Sequence, residues 1–214
     1  MQKITLENTL PRVFVSEKIP DSDVWRHTFS FEKGNLYLVE AASGGGKSSM
    51  CAYIFGARTD YEGHILFDGR DSRLFSMEEW LALRRLSLAY LPQELSLFPE
   101  LTAWENVQLK NRLTGHASDR QLGEWFEMLG IGSRRDYPAG RLSIGQQQRV
   151  AIIRSICQPF DFILLDEPVS HLDEENNRIA ARLIAGEAAR QGAGIISTSV
   201  GNHILLEYSH RMRL

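Results

Sequence analysis

Apolar and polar residues alternate at the start of the chain. Ile4 and Leu6 alternate with Thr5 and Glu7, and Phe29 and Phe31 alternate with Ser30 and Glu32. A period of two is that of a strand buried on one face. Val13, Phe14 and Val15 form a further apolar patch that reads as part of the same strand-rich opening. Leu36 to Val39 is a short apolar run, and His64 to Phe67 is another, closed by the turn pair Asp68-Gly69. Helix starts then take over. Ser76 with Glu79, Thr102 with Glu105 and Ser118 with Gln121 each have the spacing of a capping box. After the third, Leu122, Trp125, Phe126 and Leu129 follow helical spacing, and Gly130 can end the helix. Residues 102 to 140 therefore read as helical, with Trp104, Trp125 and Phe126 in the core. Beyond residue 142, a helix is expected over Gln146 to Cys157 and another over Glu174 to Gln191. Phe162 to Leu165 and the run starting at Ile195 and Ile196 read as strands buried on both faces. The pattern is α/β, with an early antiparallel portion and a helical insertion.

Composition sets bounds on this picture. The chain has 214 residues, 43% hydrophobic and 24% charged, with a net charge of −3. That is ordinary for one folded domain with a full core. Mild acidity argues against a general nucleic-acid surface, which needs clustered Lys and Arg. The longest stretch without a charged side chain, Gln191 to Leu206, is broken by Gly, Ser, Thr, Asn and His. A membrane span needs about 20 mainly apolar residues. The opening residues lack the apolar run of a signal peptide. Cys51 and Cys157 are too few and too far apart for a disulfide scaffold or a zinc site. The expectation is a reduced, cytoplasmic protein.

Two segments carry chemistry. Ala41-Ala42-Ser43-Gly44-Gly45-Gly46-Lys47-Ser48 follows a strand and precedes a helix expected over Ser49 to Phe55. Glycines let successive backbone N–H groups turn inward around phosphate oxygens, and the helix N-terminus adds its dipole. Ser43, Gly44, Gly45, Gly46, Lys47, Ser48 and Ser49 are the nucleotide-binding candidates. Lys47 would reach the outer phosphates and the Ser48 hydroxyl would ligate Mg²⁺. The second segment is Phe162-Ile163-Leu164-Leu165-Asp166-Glu167-Pro168. Carboxylates at the end of a buried strand stand where open α/β sheets bind ligands. Asp166 is the candidate Mg²⁺ ligand and Glu167 the candidate general base for an attacking water.

With these two segments, the chain resembles the ATP-binding cassette of ABC transporters over nearly its whole length. Leu142-Ser143-Ile144-Gly145-Gln146, followed by Gln147-Gln148-Arg149, resembles the family's LSGGQ signature and its trailing QQR. Gln93, in Tyr90-Leu91-Pro92-Gln93, resembles the Q-loop glutamine, and Leu97 to Val107 resembles the segment after it. Ser170-His171-Leu172-Asp173 resembles the D-loop.

The resemblance implies a P-loop NTPase core over 1–93 and 142–214, with a helical subdomain at about 94–141, in a single domain 1–214. It implies an ATPase that pairs head to tail with a second cassette and sandwiches ATP. Lys47 and Ser48 of one copy would face Ser143, Gly145 and Gln146 of the other. Gln93 would ligate Mg²⁺, sense the γ-phosphate and signal to an integral membrane permease. Asp173 would couple the two sites, and it also suits a helix N-cap. Phe14 is the candidate for stacking on adenine, with Trp25 as runner-up and core packing as the alternative for Phe14. The chain would lie on the cytoplasmic face of the membrane through its permease. Two other readings within the family are a regulatory membrane role like that of cell-division cassettes, and an ATPase of DNA repair or translation.

Three positions depart from the pattern. Ala41 stands where the phosphate loop usually begins with Gly, and Ile144 replaces the first signature Gly. In Ile195-Ile196-Ser197-Thr198-Ser199, Ser199 occupies the place of the family's switch His. A hydroxyl is shorter than an imidazole and does not titrate near neutrality. Slow hydrolysis is therefore expected. His203 could substitute only through a rearranged loop and otherwise reads as a surface residue, and His171 reads as a local or interface contact.

Overall fold

The computed structural model describes residues 1–16 and 21–214. Two sheets organise it. The first is antiparallel, with strand order β2-β1-β4-β5: β1 is Lys3–Pro11, β2 Thr28–Glu32, β4 Tyr61–Phe67 and β5 Arg70–Asp71. The second is parallel, with order β6-β7-β8-β3-β9: β3 is Leu36–Glu40, β6 Leu88–Leu91, β7 Phe162–Asp166, β8 Gly194–Ser199 and β9 His210–Arg213. The helices are α1 Lys47–Ile54, α2 Met77–Leu86, α3 Ala103–Asn111, α4 Asp119–Met128, α5 Ile144–Ile156 and α6 Glu174–Gln191.

The apolar run of β7 serves two cores at once. Ile163 and Leu165 face a core built with α3 to α6. Phe162 and Leu164 face the other, shared with α1 and the antiparallel sheet. Alternate side chains leave opposite faces of a strand, so a strand covered on both sides must be apolar throughout. Ile195 and Ile196 of β8 divide in the same way.

The capping signals locate helix starts. Ser76 and Thr102 form complete boxes with Glu79 and Glu105. Ser118 accepts from the Gln121 N–H and starts α4. The segment after α4 departs from a continuous helical reading: it holds two short 3-10 turns, Gly132–Arg134 and Ala139–Arg141.

Three local expectations are corrected. Val13 to Val15 form no strand; Arg12–Phe14 is a 3-10 turn. The Val15 N–H bonds back to the Arg12 carbonyl, and Val13 and Val15 remain exposed. Helix α1 starts at Lys47 rather than Ser49, with Gly46 as its left-handed N-cap. Helix α5 starts at Ile144 because Ser143 and Gln146 form a further capping box. Strands β6 and β9 had no readable pattern: β6 has four residues, and β9 buries only Met212.

Parallel register sets up the site. Leu91 pairs with Leu165, Asp166 with Thr198, and Glu40 with Ser199. The C-terminal ends of four adjacent strands thus deliver Gln93, Glu167, Thr198 and the loop starting at Ala41 to one edge of the sheet.

Candidate functional site

Lys47, the first residue of α1, is buried, and its Nζ donates to the carbonyls of Ala41 and Ala42, each at 3.0 Å. The ammonium also stands 4.0 Å from Glu167 Oε1. Burial lowers its pKa, and the charges of Glu167 and Asp166 push it back up. Ser48, next on the helix, is exposed. Ser49 turns its hydroxyl to Arg58, from which it accepts at 3.0 Å.

Asp166 ends β7 and is 1% exposed. Its Oδ1 accepts from Thr198 Oγ1 at 2.7 Å. The same hydroxyl oxygen accepts the Glu167 N–H at 3.3 Å. Glu167 has a φ of +49°, a left-handed conformation costly for a residue with a side chain. Thr198 therefore holds both carboxylate residues, one through its proton and the other through its lone pair. The residue types of the motifs alone give no hint of this role, and Thr198 sits in a buried Ser-Thr-Ser run at the end of β8. Glu167 Oε2 is 3.5 Å from Gln93 Nε2, so Gln93, Lys47 and Glu167 converge.

Ser199 is fully buried, and its hydroxyl donates to the Asn202 carbonyl at 2.9 Å. It closes the turn after β8, with its proton spent on that carbonyl. His203 is half-buried rather than superficial and packs edge-on against Tyr208. His171 bonds to Ser170 Oγ at 3.0 Å.

A cavity of about 900 Å³ runs along the outside of the loop, lined by Phe14, Trp25, Ala41 to Gly45, Ser199 and Arg213 among others. Ala41 fits because residue 45 is glycine: a Cβ there would meet the Ala41 methyl carbon at 2.8 Å.

Ser143, Gly145, Gln146 and Asp173 lie outside this cavity. Ser143 caps α5 by accepting from the Gln146 N–H, and Gln146 returns a bond to the Ser143 N–H. The Ser143 hydroxyl proton is not used by the cap. Ile144 is half exposed beside it. A side chain at Gly145 would come within 2.9 Å of the His171 carbonyl, so the helix start and the segment after β7 approach closely. Gln148 straps them together. It is 1% exposed, donates to the Pro168 carbonyl at 2.6 Å and accepts the His171 N–H at 3.0 Å. Asp173 caps α6 by accepting from the Asn176 N–H at 2.8 Å, which holds its carboxyl below the usual range.

Gln148→Ala deletes both bonds of the strap and leaves the buried Pro168 carbonyl and the part-buried His171 N–H without their partner. It is expected to cost about 2–3 kcal/mol in urea unfolding. A loss below about 0.5 kcal/mol would show that the strap contributes little.

The donor set suits Mg²⁺. Ser48 Oγ, the Asp166 carboxylate and the Gln93 amide oxygen are hard oxygen ligands of the kind that cation takes. Among the described residues, no helix is long and apolar enough to cross a membrane.

Comparison with known proteins gives consistent likenesses. The family profile "ABC transporter" matches residues 25–170. The chain is 31% identical over 181 residues to the macrolide export ATP-binding/permease protein MacB of Shewanella sp. (strain ANA-3). That match takes in 82% of this chain and 27% of MacB, so the chain spans about a quarter of that relative's length. It is 32% identical over 160 residues to the ABC transporter ATP-binding protein YtrE of Bacillus subtilis (strain 168), covering 73% of this chain and 69% of YtrE. The dimeric structure of MJ0796, a bacterial ABC transporter cassette, superposes with a TM-score of 0.76 at 26% identity, covering 92% of this chain and 87% of that one.

Proposed function

The chain belongs to the ABC transporter family as an ABC-type ATPase, and we propose that it drives an integral membrane permease through ATP-dependent pairing of cassettes. The observation that carries this reading is the convergence of Lys47 and Gln93 on Glu167 at the sheet edge. Residues 1–214 form a single cassette in this proposal, with 1–93 and 142–214 as its core and about 94–141 as a helical subdomain. It works on the cytoplasmic face of the membrane, bound to its permease and not to nucleic acid.

The backbone N–H groups of Ser43, Gly44 and Gly46 to Ser49 and the Lys47 ammonium take the phosphates of ATP, with Lys47 exchanging the Ala41 and Ala42 carbonyls for phosphate oxygens. Phe14, on the cavity wall, is assigned to the adenine ring. Ser48, Asp166 and Gln93 would hold Mg²⁺, which when bound neutralises charge on the outer phosphates. Glu167 orients a water and accepts its proton. From the paired copy, the Ser143 hydroxyl and the Gly145 N–H donate to the γ-phosphate, Gln146 holds that helix start through its cap with Ser143, and Asp173 stands beside the joint between copies. Loss of that phosphate removes the bridge and releases the pair.

The permease is assigned to a groove of about 300 Å³ that adjoins Gln93. Pro92, Phe98, Leu109, Leu113 and Arg154 line it, and Phe98, Leu109 and Leu113 are substantially exposed. Lys110 lines it too, its ammonium pushed down by burial to about 8.

Phosphate release from Mg-ATP by the purified chain tests the reading. Turnover is expected but slow, because Ser199 spends its hydroxyl on Asn202. Ser199→His, with the cavity wall beside it to receive the ring, is expected to raise kcat severalfold. Equal rates for the two proteins would show that Ser199 does not limit hydrolysis, and zero turnover in both would count against the ATPase site itself.

A further inference from the structure

Trp25 makes no contact with Lys47, Gln93 or Glu167 in the hydrogen-bond network of the sheet edge, yet it touches the glycine-rich loop directly. It is 2% exposed, and its indole N–H donates to the Gly45 carbonyl at 3.2 Å. The ring reaches the next residue as well: a Cβ on Gly46 would come within 3.1 Å of it. Trp25 is anchored in turn, its backbone N–H donating to Ser22 Oγ at 2.8 Å. Gly45 is therefore held at both ends, its N–H donating to the Ala42 carbonyl at 3.1 Å and its carbonyl accepting from the indole.

A peptide unit is planar and trans, so its C=O and N–H point in opposite directions. A Gly45 carbonyl held toward the indole turns the Gly46 N–H away from it. Glycine peptides rotate more freely than others, and a loop with three in a row has the most freedom to lose on binding an anion. We propose that Trp25 is a positioning residue for the phosphate loop: its indole N–H fixes the Gly45–Gly46 peptide so that the Gly46 N–H stays aimed at a phosphate oxygen of the nucleotide. This rests on the assignment of the loop to nucleotide. Trp25 thus serves the phosphates through the backbone and does not serve the adenine as a stacking platform.

Trp25→Phe keeps a ring and removes the donor. Titration calorimetry with Mg-ATP and with Mg-pyrophosphate separates phosphate from base. Both affinities are expected to fall by about tenfold, the worth of one hydrogen bond. The KM for ATP should rise by a similar factor with kcat held within about twofold. A loss confined to ATP would place Trp25 at the base or sugar and overturn the proposal, as would unchanged affinity for both. Lys47→Ala provides the separate control: if it binds both ligands like the wild type, the loop assignment fails independently of Trp25. Should Trp25→Phe fail to fold, hydrogen exchange of the indole N–H in the unaltered protein decides. Slow exchange before ligand addition is expected, and exchange as fast as that of a free indole would overturn the proposal.

Discussion

Glu167→Gln is expected to lower phosphate release by about 10²- to 10⁴-fold, the usual range for loss of a general base. The amide keeps the length of the carboxylate and can still meet Gln93, which lies 3.5 Å away. It cannot accept a proton from water. ATP should still bind, since Lys47 and the loop N–H groups are untouched. With cleavage blocked, the γ-phosphate stays between the copies and the pair should persist. Size exclusion with Mg-ATP is expected to show a dimer for the variant and a largely monomeric wild type. Wild-type turnover in Glu167→Gln would remove Glu167 from the role of base. A variant monomeric in Mg-ATP would sink the sandwich for the isolated chain.

Lys47→Ala should have the next largest effect, weakening ATP binding by about 2–4 kcal/mol. The side chain is nearly all buried, and three groups already compete for its ammonium: the two carbonyls at 3.0 Å and Glu167 at 4.0 Å. Its site is built for a cation, and only the protonated form donates to phosphate. Burial lowers its pKa, so the ammonium is lost at a less alkaline pH than that of a free lysine. Bound phosphate would raise that pKa again. The sign follows: ATP affinity falls as the pH climbs toward the lowered pKa, and binding in that range takes up protons. Calorimetry in two buffers of different ionisation enthalpy measures the uptake. Affinity in Lys47→Ala equal to wild type would refute the phosphate role.

The two variants probe candidates that are legible in the sequence, unlike several residues around them. Lys47 and Glu167 were readable because backbone geometry ties them to their neighbours: a Gly-rich loop before a helix, and a carboxylate pair after a buried strand. Thr198 was hidden, since its importance comes from Asp166 and Glu167 on a different strand. Gln148 was visible only as part of a motif; its strap to Pro168 and His171 depends on how α5 packs. Ser199 was read as a lost switch residue, and only the folded chain shows that its hydroxyl closes the turn to Asn202. Trp25 reads in the sequence as a runner-up for adenine, and only the fold shows its indole bond to Gly45.

Local order in the sequence determined the capped helices, the buried strands and the glycine-rich loop before α1, because each is written by neighbours a few positions apart. Helix caps need one side chain and the N–H three residues on, and strands need only alternation or an unbroken apolar run. The tertiary structure alone decided which strand ends stand side by side. Parallel register set Leu91 against Leu165, Asp166 against Thr198 and Glu40 against Ser199. That register is fixed by packing two cores on opposite faces of one sheet, a condition satisfied by residues scattered along the whole chain. It is why the pattern could name candidate residues for the site, while the hydrogen bonds to Thr198, Asn202 and Trp25 are set by the fold.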